Sequence, residues 1–231
     1  MSKKRPYEVL YEEIKEFTGM KPVGGARLQN KLRRGVENDS LRLFIPWAAY
    51  SGGRTEPTAS DRMTLDWLFE PGGFVERVSK FGKTVCLMMF ADTYVRRNGF
   101  DMGEVKEYWA GISASISDAA NVTFTTTSLL EDSRMEYFRA KNAYAFERLD
   151  LGQQRKILQA ASRYSGATDE LEVYESAAEY SMLRAAEAEY VDQELDAIWV
   201  SLNWQERDLM CGDVPRVYVP EKLRAPWLKE T

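Results

Sequence analysis

A single α/β domain of Rossmann-like type, a mostly parallel sheet with helices on both faces, is predicted by three features of the sequence. The first is the stretch KTVCLMMFADTYVRRNGFD, residues 83 to 101, where a continuous apolar run from Val85 to Phe90 gives way abruptly to Asp92, Thr93, Tyr94, Arg96, Arg97 and Asn98. A run apolar on both faces fits a central parallel strand covered by helices, and ligands of open α/β sheets bind at the carboxyl ends of such strands. The second is alternation: strand-like segments near 41–47, 83–90, 121–127 and 196–203 are separated by helical patterns, with a helical excursion from 130 to 194. The third is bulk, since 231 residues with 44% apolar and 29% charged side chains bury a sizeable core as one compact unit without staples.

Taken in order, residues 1–38 form a basic helical arm ahead of a Rossmann-like body over 39–231. Residues 1–34 carry nine basic side chains against four acidic ones in a chain whose net charge is −5. Pro6 to Thr18 reads as a helix with Val9, Leu10, Ile14 and Phe17 apolar, and Gly24-Gly25 opens a second. No acid interrupts Lys21, Arg27, Lys31, Arg33 and Arg34, and Arg27, Lys31 and Arg34 recur at i, i+4 and i+7 opposite Leu28 and Leu32. That cationic face is either a solvated surface docked by its leucines or a contact for the phosphate backbone of a nucleic acid. On both readings Arg27, Lys31 and Arg34 are expected in solvent.

The segment LRLFIPW, Leu41 to Trp47, has strand composition with Pro46 where the strand runs out. It leads into AAYSGGR, a small-residue loop that is either an ordinary strand-to-helix turn or a place where backbone amides approach a ligand, with Tyr50 and Ser51 as its chemical candidates. Thr58-x-x-Asp61 reads as a capping box for a helix to Phe69, and a short helix after Pro71-Gly72-Gly73 runs to Lys80. A helix from Met102 to Ala119 precedes the alternating NVTFTTTSLL strand. Three helical patterns follow, Asp132 to Arg148, Gly152 to Tyr164 and Thr168 to Glu194, and then the strand-like DAIWVSLNW and VPRVYVP.

The chain has no histidine, which removes the usual general base and every Ser-His or Cys-His nucleophile pair. Chemistry falls to carboxylates, Tyr, Lys, Ser and backbone amides, or to a substrate that arrives already activated and needs mainly positioning. Cys86 and Cys211 form no metal-ligand or disulfide spacing and read as reduced thiols. No apolar run reaches membrane-spanning length and the start lacks a signal peptide's apolar core, so the expected location is the cytosol, with no membrane partner. The ends of the first two strands should bring Ser51 and Asp92 to one edge of the sheet. Asp92, read as a loop-end carboxylate outside the core, is expected to matter for binding and little for stability.

Two family resemblances follow from these motifs. LFIPWAAYSGGR, PTASDRMTLDWL, GKTVCLMMFADTYV and MGEVKEYWAGI resemble, in order and spacing, the amino half of isocyanide synthases of the pyoverdine and dityrosine type, with Asp92 standing in that family's Ser-Asp-Gly-like turn. The small-residue loop with Ser51, the Rossmann-like order and Tyr190-Val191-Asp192-Gln193-Glu194 resemble the tRNA-dependent cyclodipeptide synthases, which look like the catalytic domain of tyrosyl- and tryptophanyl-tRNA synthetases. This second resemblance implies an aminoacyltransferase that makes a cyclic dipeptide from aminoacyl-tRNAs without metal, ATP or other cofactor. It makes Ser51 the aminoacyl acceptor and Tyr190 and Glu194, four apart on one helix face, the pair that handles the amine. Tyr50, Asp92, Tyr94, Asn98 and Tyr180 would contact the substrate, and Lys21, Arg27, Lys31, Arg33 and Arg34 the tRNA. The alternatives are isocyanide synthesis on an amino acid, and a non-enzymatic RNA- or nucleotide-binding module.

Overall fold

The computed structural model describes residues 4–47, 55–97, 99–116, 121–130, 132–202 and 214–220, apart from the side chains of Tyr94, Arg97 and Tyr164. Five strands form one sheet: β1 (Leu41–Trp47), β2 (Thr84–Phe90), β3 (Val122–Thr126), β4 (Ile198–Ser201) and β5 (Arg216–Tyr218). Their spatial order is β3-β2-β1-β4-β5 and every pairing is parallel. This is a doubly wound Rossmann-like sheet, as the alternation of strand and helix patterns predicts.

The helices are α1 (Pro6–Thr18), α2 (Gly25–Glu37), α3 (Ala59–Phe69), α4 (Phe74–Ser79), α5 (Asp92–Arg97), α6 (Met102–Ser115), α7 (Ser133–Lys141), α8 (Leu151–Tyr164) and α9 (Glu170–Gln193). Gly24 opens α2 at φ +108°, a conformation that glycine takes at no steric cost. Thr58 and Asp61 form the expected capping box of α3, the Thr58 hydroxyl accepting from the Asp61 amide. The 132–148 pattern breaks early: α7 ends at Lys141, where the Asn142 side chain donates to the Phe138 carbonyl and offers the backbone an alternative to another helical turn. The 102–119 helix ends at Ser115 among the described residues.

One face of the sheet packs on α1–α4 and α6. Leu41, Leu43, Ile45 and Trp47 of β1, Cys86, Met88 and Phe90 of β2, Ile198 and Val200 of β4 and Val217 of β5 share a single apolar cluster with Leu10 and Ile14 of α1 and Leu28 and Leu32 of α2. The amino-terminal helices therefore complete the core of the body they precede. Burial pushes the Cys86 thiol up to about 12, consistent with an inert core sulfur. The other face, with Phe44, Met89 and Trp199, lies under Ala188 and Val191 of α9. At the β5 edge, Val23 and Arg216 exchange both backbone hydrogen bonds in an antiparallel bridge, covering groups that an edge strand otherwise presents to any passing strand.

The end of β1 is fixed from the side. The Trp47 indole N–H donates to the Tyr108 hydroxyl of α6 at 3.1 Å inside the core, with Trp47 1% and Tyr108 0% exposed. Tyr108→Phe leaves that buried donor without its acceptor, and a loss of about 1–3 kcal/mol is expected in chemical denaturation.

Candidate functional site

In chain order the sheet grows from β1 through β3 on one side, then returns to the other side of β1 to lay down β4 and β5. The switch lies between β1 and β4, and the crevice outside their carboxyl ends is where sheets of this kind hold ligands. Trp47, the last residue of β1, pairs with Phe90, the last of β2, so the segments that follow the two strands leave from the same edge. The first segment carries Tyr50 and Ser51, which with Asn98 lie outside the described residues. The second begins with Asp92.

Asp92 is 3% exposed. Its carboxylate accepts from the Thr127 hydroxyl at 2.8 Å, the Ser128 amide at 3.0 Å and the Ser128 hydroxyl at 2.6 Å, with Arg96 3.8 Å away. Thr127 and Ser128 open a 3-10 turn, Thr127–Leu130, directly after β3. Burial works to raise the Asp92 carboxyl, but the hydrogen bonds from Ser128 and Thr127 prevail and hold it below the ordinary carboxylate value. The expectation of a loop-end group with little weight in stability is therefore corrected: Asp92 is a buried clasp joining the ends of β2 and β3.

The cationic face of α2 is also different from its expected form. Lys31 is 7% exposed; its ammonium donates to the Asp192 carbonyl at 2.7 Å and the Asp196 carboxylate at 2.6 Å, with an Asp192 oxygen at 3.2 Å. Arg27 pairs with Asp192, and Arg34 with Asp196 at 2.7 Å. Arg27 and Arg34 keep about half of their side-chain surface in water, 51% and 52%, but Lys31 keeps 6%. The expectation that all three stand in solvent thus fails for Lys31. The stripe is a ladder that locks α2 to the end of α9 and the approach to β4. Asp196 holds its carboxylate there from a left-handed backbone at φ +49°, which Asp tolerates better than most residues. Lys21 and Arg33 are exposed. Beside the ladder, at the start of β1 and β4, lies a polar cleft of about 300 Å³ lined by Lys31, Arg34, Asn38, Ser40, Arg42 and Asp196 among others.

Tyr190 and Glu194 do share a face, and it is turned to α7. The Tyr190 hydroxyl donates to Asp132 at 3.1 Å, its ring meets Phe138 edge-on at 6.2 Å, and Glu194 pairs with Arg134 at 2.8 Å. Burial, and then the hydrogen bond to the Asp132 carboxylate, raise the Tyr190 phenol. Glu194 sits four residues before β4 begins, whereas the Ser51 segment follows the end of β1. Tyr180 is half-buried and packs in the cluster of Phe146, Leu149 and Ile157 that joins α8 to α9.

A group of polar side chains that sequence reasoning did not single out lies between α9 and the sheet. Ser181, Arg184 and Glu187 of α9 are 2%, 3% and 4% exposed, and the Arg184 guanidinium donates to Glu187 at 2.9 Å while lying 4.9 Å from the centre of the Trp199 ring. Trp199 pairs in register with Arg216, and Ser201 with Tyr218, so these side chains point to the same face of the sheet as Trp199; Ser201, Arg216 and Tyr218 are 1%, 3% and 2% exposed. Phe44 of β1 stands next to Trp199 on that face. The polar group therefore borders the switch between β1 and β4. Its signal in the sequence was a charged pair three residues apart inside LRAAEA, a run otherwise fit for burial.

No family model matches the sequence, and no curated protein matches it. Among solved structures, the tyrosyl-tRNA synthetase of Archaeoglobus fulgidus complexed with L-tyrosine matches with a TM-score of 0.58 and 14% identity, over 90% of this chain and 63% of that one. The Leishmania major tyrosyl-tRNA synthetase in complex with tyrosinol matches with a TM-score of 0.54 and 13% identity, over 94% of this chain and 31% of that one. The chain thus spans less than two thirds of the length of either neighbour. The likeness establishes a tRNA-synthetase-like Rossmann fold.

Two outcomes follow from this geometry. The Asp92 carboxyl is depressed in the folded state, so its contribution is complete above the ordinary Asp value of 3.8 and is lost as pH falls through the lower folded value. Asp92→Asn should cost about 1–3 kcal/mol at neutral pH and flatten that acid limb of the melting curve. Glu187→Ala takes away the carboxylate to which a buried guanidinium donates and should cost about 3–5 kcal/mol, whereas the paired change Arg184→Met with Glu187→Met should restore most of the melting temperature.

Proposed function

We propose that the chain is an aminoacyltransferase that takes aminoacyl groups from charged tRNA and closes two of them into a cyclic dipeptide. The observation that carries this reading is the sheet order β3-β2-β1-β4-β5 with its likeness, over 90% of the chain, to a tyrosyl-tRNA synthetase that binds L-tyrosine. The buried polar group bordering the switch point is assigned to the amino-acid moiety, and the lack of histidine suits a substrate whose ester is already activated.

In this reading Ser51, four residues beyond the last residue of β1, attacks the ester carbonyl. The serine proton passes to the departing ribose hydroxyl, and the aminoacyl group is held as a serine ester. The amine of a second aminoacyl-tRNA then displaces that serine to form the first peptide bond. The free amine of the resulting dipeptidyl-tRNA attacks its own ester, releasing the ring and the second tRNA, so that two amide bonds replace two esters. Tyr50, which follows β1 in the sequence, and Tyr94 and Asn98, which follow β2, are assigned to substrate contact. Glu187 is assigned to the amine and Arg184 to holding Glu187, with Trp199 as the flat wall behind them. Tyr190 and Glu194 act through α7 as positioning residues, Tyr180 through α8, and Asp92 by fixing the ends of β2 and β3. Lys21, ahead of α2, and Arg33 on it are exposed and are assigned to the tRNA, with Arg27 and Arg34 half in water beside them.

Expression in bacteria with mass spectrometry of the medium tests the reading. The parent is expected to release a diketopiperazine that Ser51→Ala abolishes and Arg184→Met with Glu187→Met reduces at least about 100-fold, the scale of a misplaced reacting group. Product at vector level from a folded parent sinks the proposal, and an isonitrile product that depends on a pentose phosphate assigns the chain to the other family it resembles.

A further inference from the structure

If tRNA carries the substrate, an acidic protein must present a local cationic surface to it, and α2 has placed Arg27, Lys31 and Arg34 on carboxylates. Another helix in the described chain has the same composition. α8, LGQQRKILQAASRY, contains Arg155, Lys156 and Arg163 and no acidic residue. Its apolar side, with Ile157, Leu158 and Ala161, packs with Phe146, Leu149 and Ala177. Its other side is solvent-facing: Arg155, Gln159, Ser162 and Arg163 are exposed. Arg155, Gln159 and Arg163 follow one another at i, i+4 and i+8, a stripe about 12 Å long at 1.5 Å per residue.

We infer that this outward face of α8 is the surface on which the phosphate backbone of RNA lies; the inference rests on the tRNA-dependent reading above. Guanidinium groups suit it because each presents a planar fork of donors to phosphate oxygens. The turn before α8 adds to the surface. Gln154 ties that turn to the helix through the Phe146 and Leu149 carbonyls, and it carries exposed Arg148 and Tyr144, the latter 73% exposed, a ring of the kind on which unpaired bases stack. Arg148 keeps a guanidinium edge on the Tyr144 carbonyl, so charge and ring are held together. The opposite sign stands next door: Glu170, Glu172 and Glu175 are exposed on the first turns of α9. Their repulsion keeps a polyanion off α9 and fixes the side from which it approaches. The short basic stripe on α8 therefore works as an oriented platform even though the whole chain is negative.

The test is fluorescence anisotropy with labelled, uncharged tRNA across a salt series, which needs no turnover. Three contacts, from Arg155, Arg163 and Arg148, are expected to contribute about −2 to −3 to the slope of log affinity against log salt. Arg155→Glu with Arg163→Glu is expected to weaken binding at least about tenfold at low salt and to reduce the slope by roughly two contacts' worth, with an unchanged melting temperature because both side chains are in water. Arg155→Gln with Arg163→Gln should fall between. Parent-like binding by the α8 variant overturns the inference, as does a parent that binds no tRNA. A tRNA-free parent dimer that the α8 variant splits also overturns it and gives the face to a second copy of the chain. Retained tRNA binding with no cyclic dipeptide sinks the proposed reaction and leaves this surface standing.

Discussion

Lys31 has almost no access to water, and the position of the amino-terminal helices follows from that. A buried ammonium is tolerable only with carboxylate or carbonyl oxygens at hand, and burial lowers its proton affinity while the Asp196 hydrogen bond works to restore it. Both of its partners come from the other half of the chain, where α9 ends and β4 starts. Arg27 and Arg34 sit one turn to either side on the same two carboxylates, so the contact has a fixed register along α2. Leucines alone would hold α2 against the sheet without choosing that register. The ladder chooses it, and through the α2–β1 turn it also sets where β1 enters the sheet.

Helix α9 is the other organising piece. Its 24 residues extend for about 36 Å, longer than the strands it covers. Its second half therefore covers the sheet with Ala188 and Val191, while its first half packs on α8 away from the strands. Different stretches of one rigid element hold the Tyr190 and Glu194 contacts to Asp132 and Arg134, the ladder to α2, the buried Arg184–Glu187 pair and the contact with α8. A charged pair under such a helix is a poor source of stability compared with a well-packed apolar pair of the same size.

Much of this architecture was legible because the sequence states it locally. Leu41–Trp47 and Val85–Phe90 advertise buried strands by composition, and Thr58-x-x-Asp61 advertises a helix start by hydrogen-bonding chemistry that needs no distant partner. The cationic spacing on α2 was equally plain, but its meaning was not, because Asp192 and Asp196 lie about 160 residues further along and nothing local announces them. Asp92 misled in the same way: its three donors belong to the turn after β3. Tyr190 and Glu194 were rightly placed on one face, yet periodicity cannot say whether a face meets a ligand or another helix. Arg184 and Glu187 escaped notice because single acids spaced along α9 on both sides of them read as one solvated face. Only the sheet beneath separates those two from the acids in water.

The small bridge between Val23 and Arg216 has a consequence for how the molecule assembles. It joins residues 193 positions apart, and such a contact gains nothing until the intervening chain has already drawn its ends together. During synthesis β5 leaves the ribosome long after α1 and α2, which must wait with one rim of the sheet unfinished. The segment at 20–24 is thus a latch that shuts at the end of folding, and until it shuts the growing sheet has a free margin on which a neighbouring nascent chain can add itself.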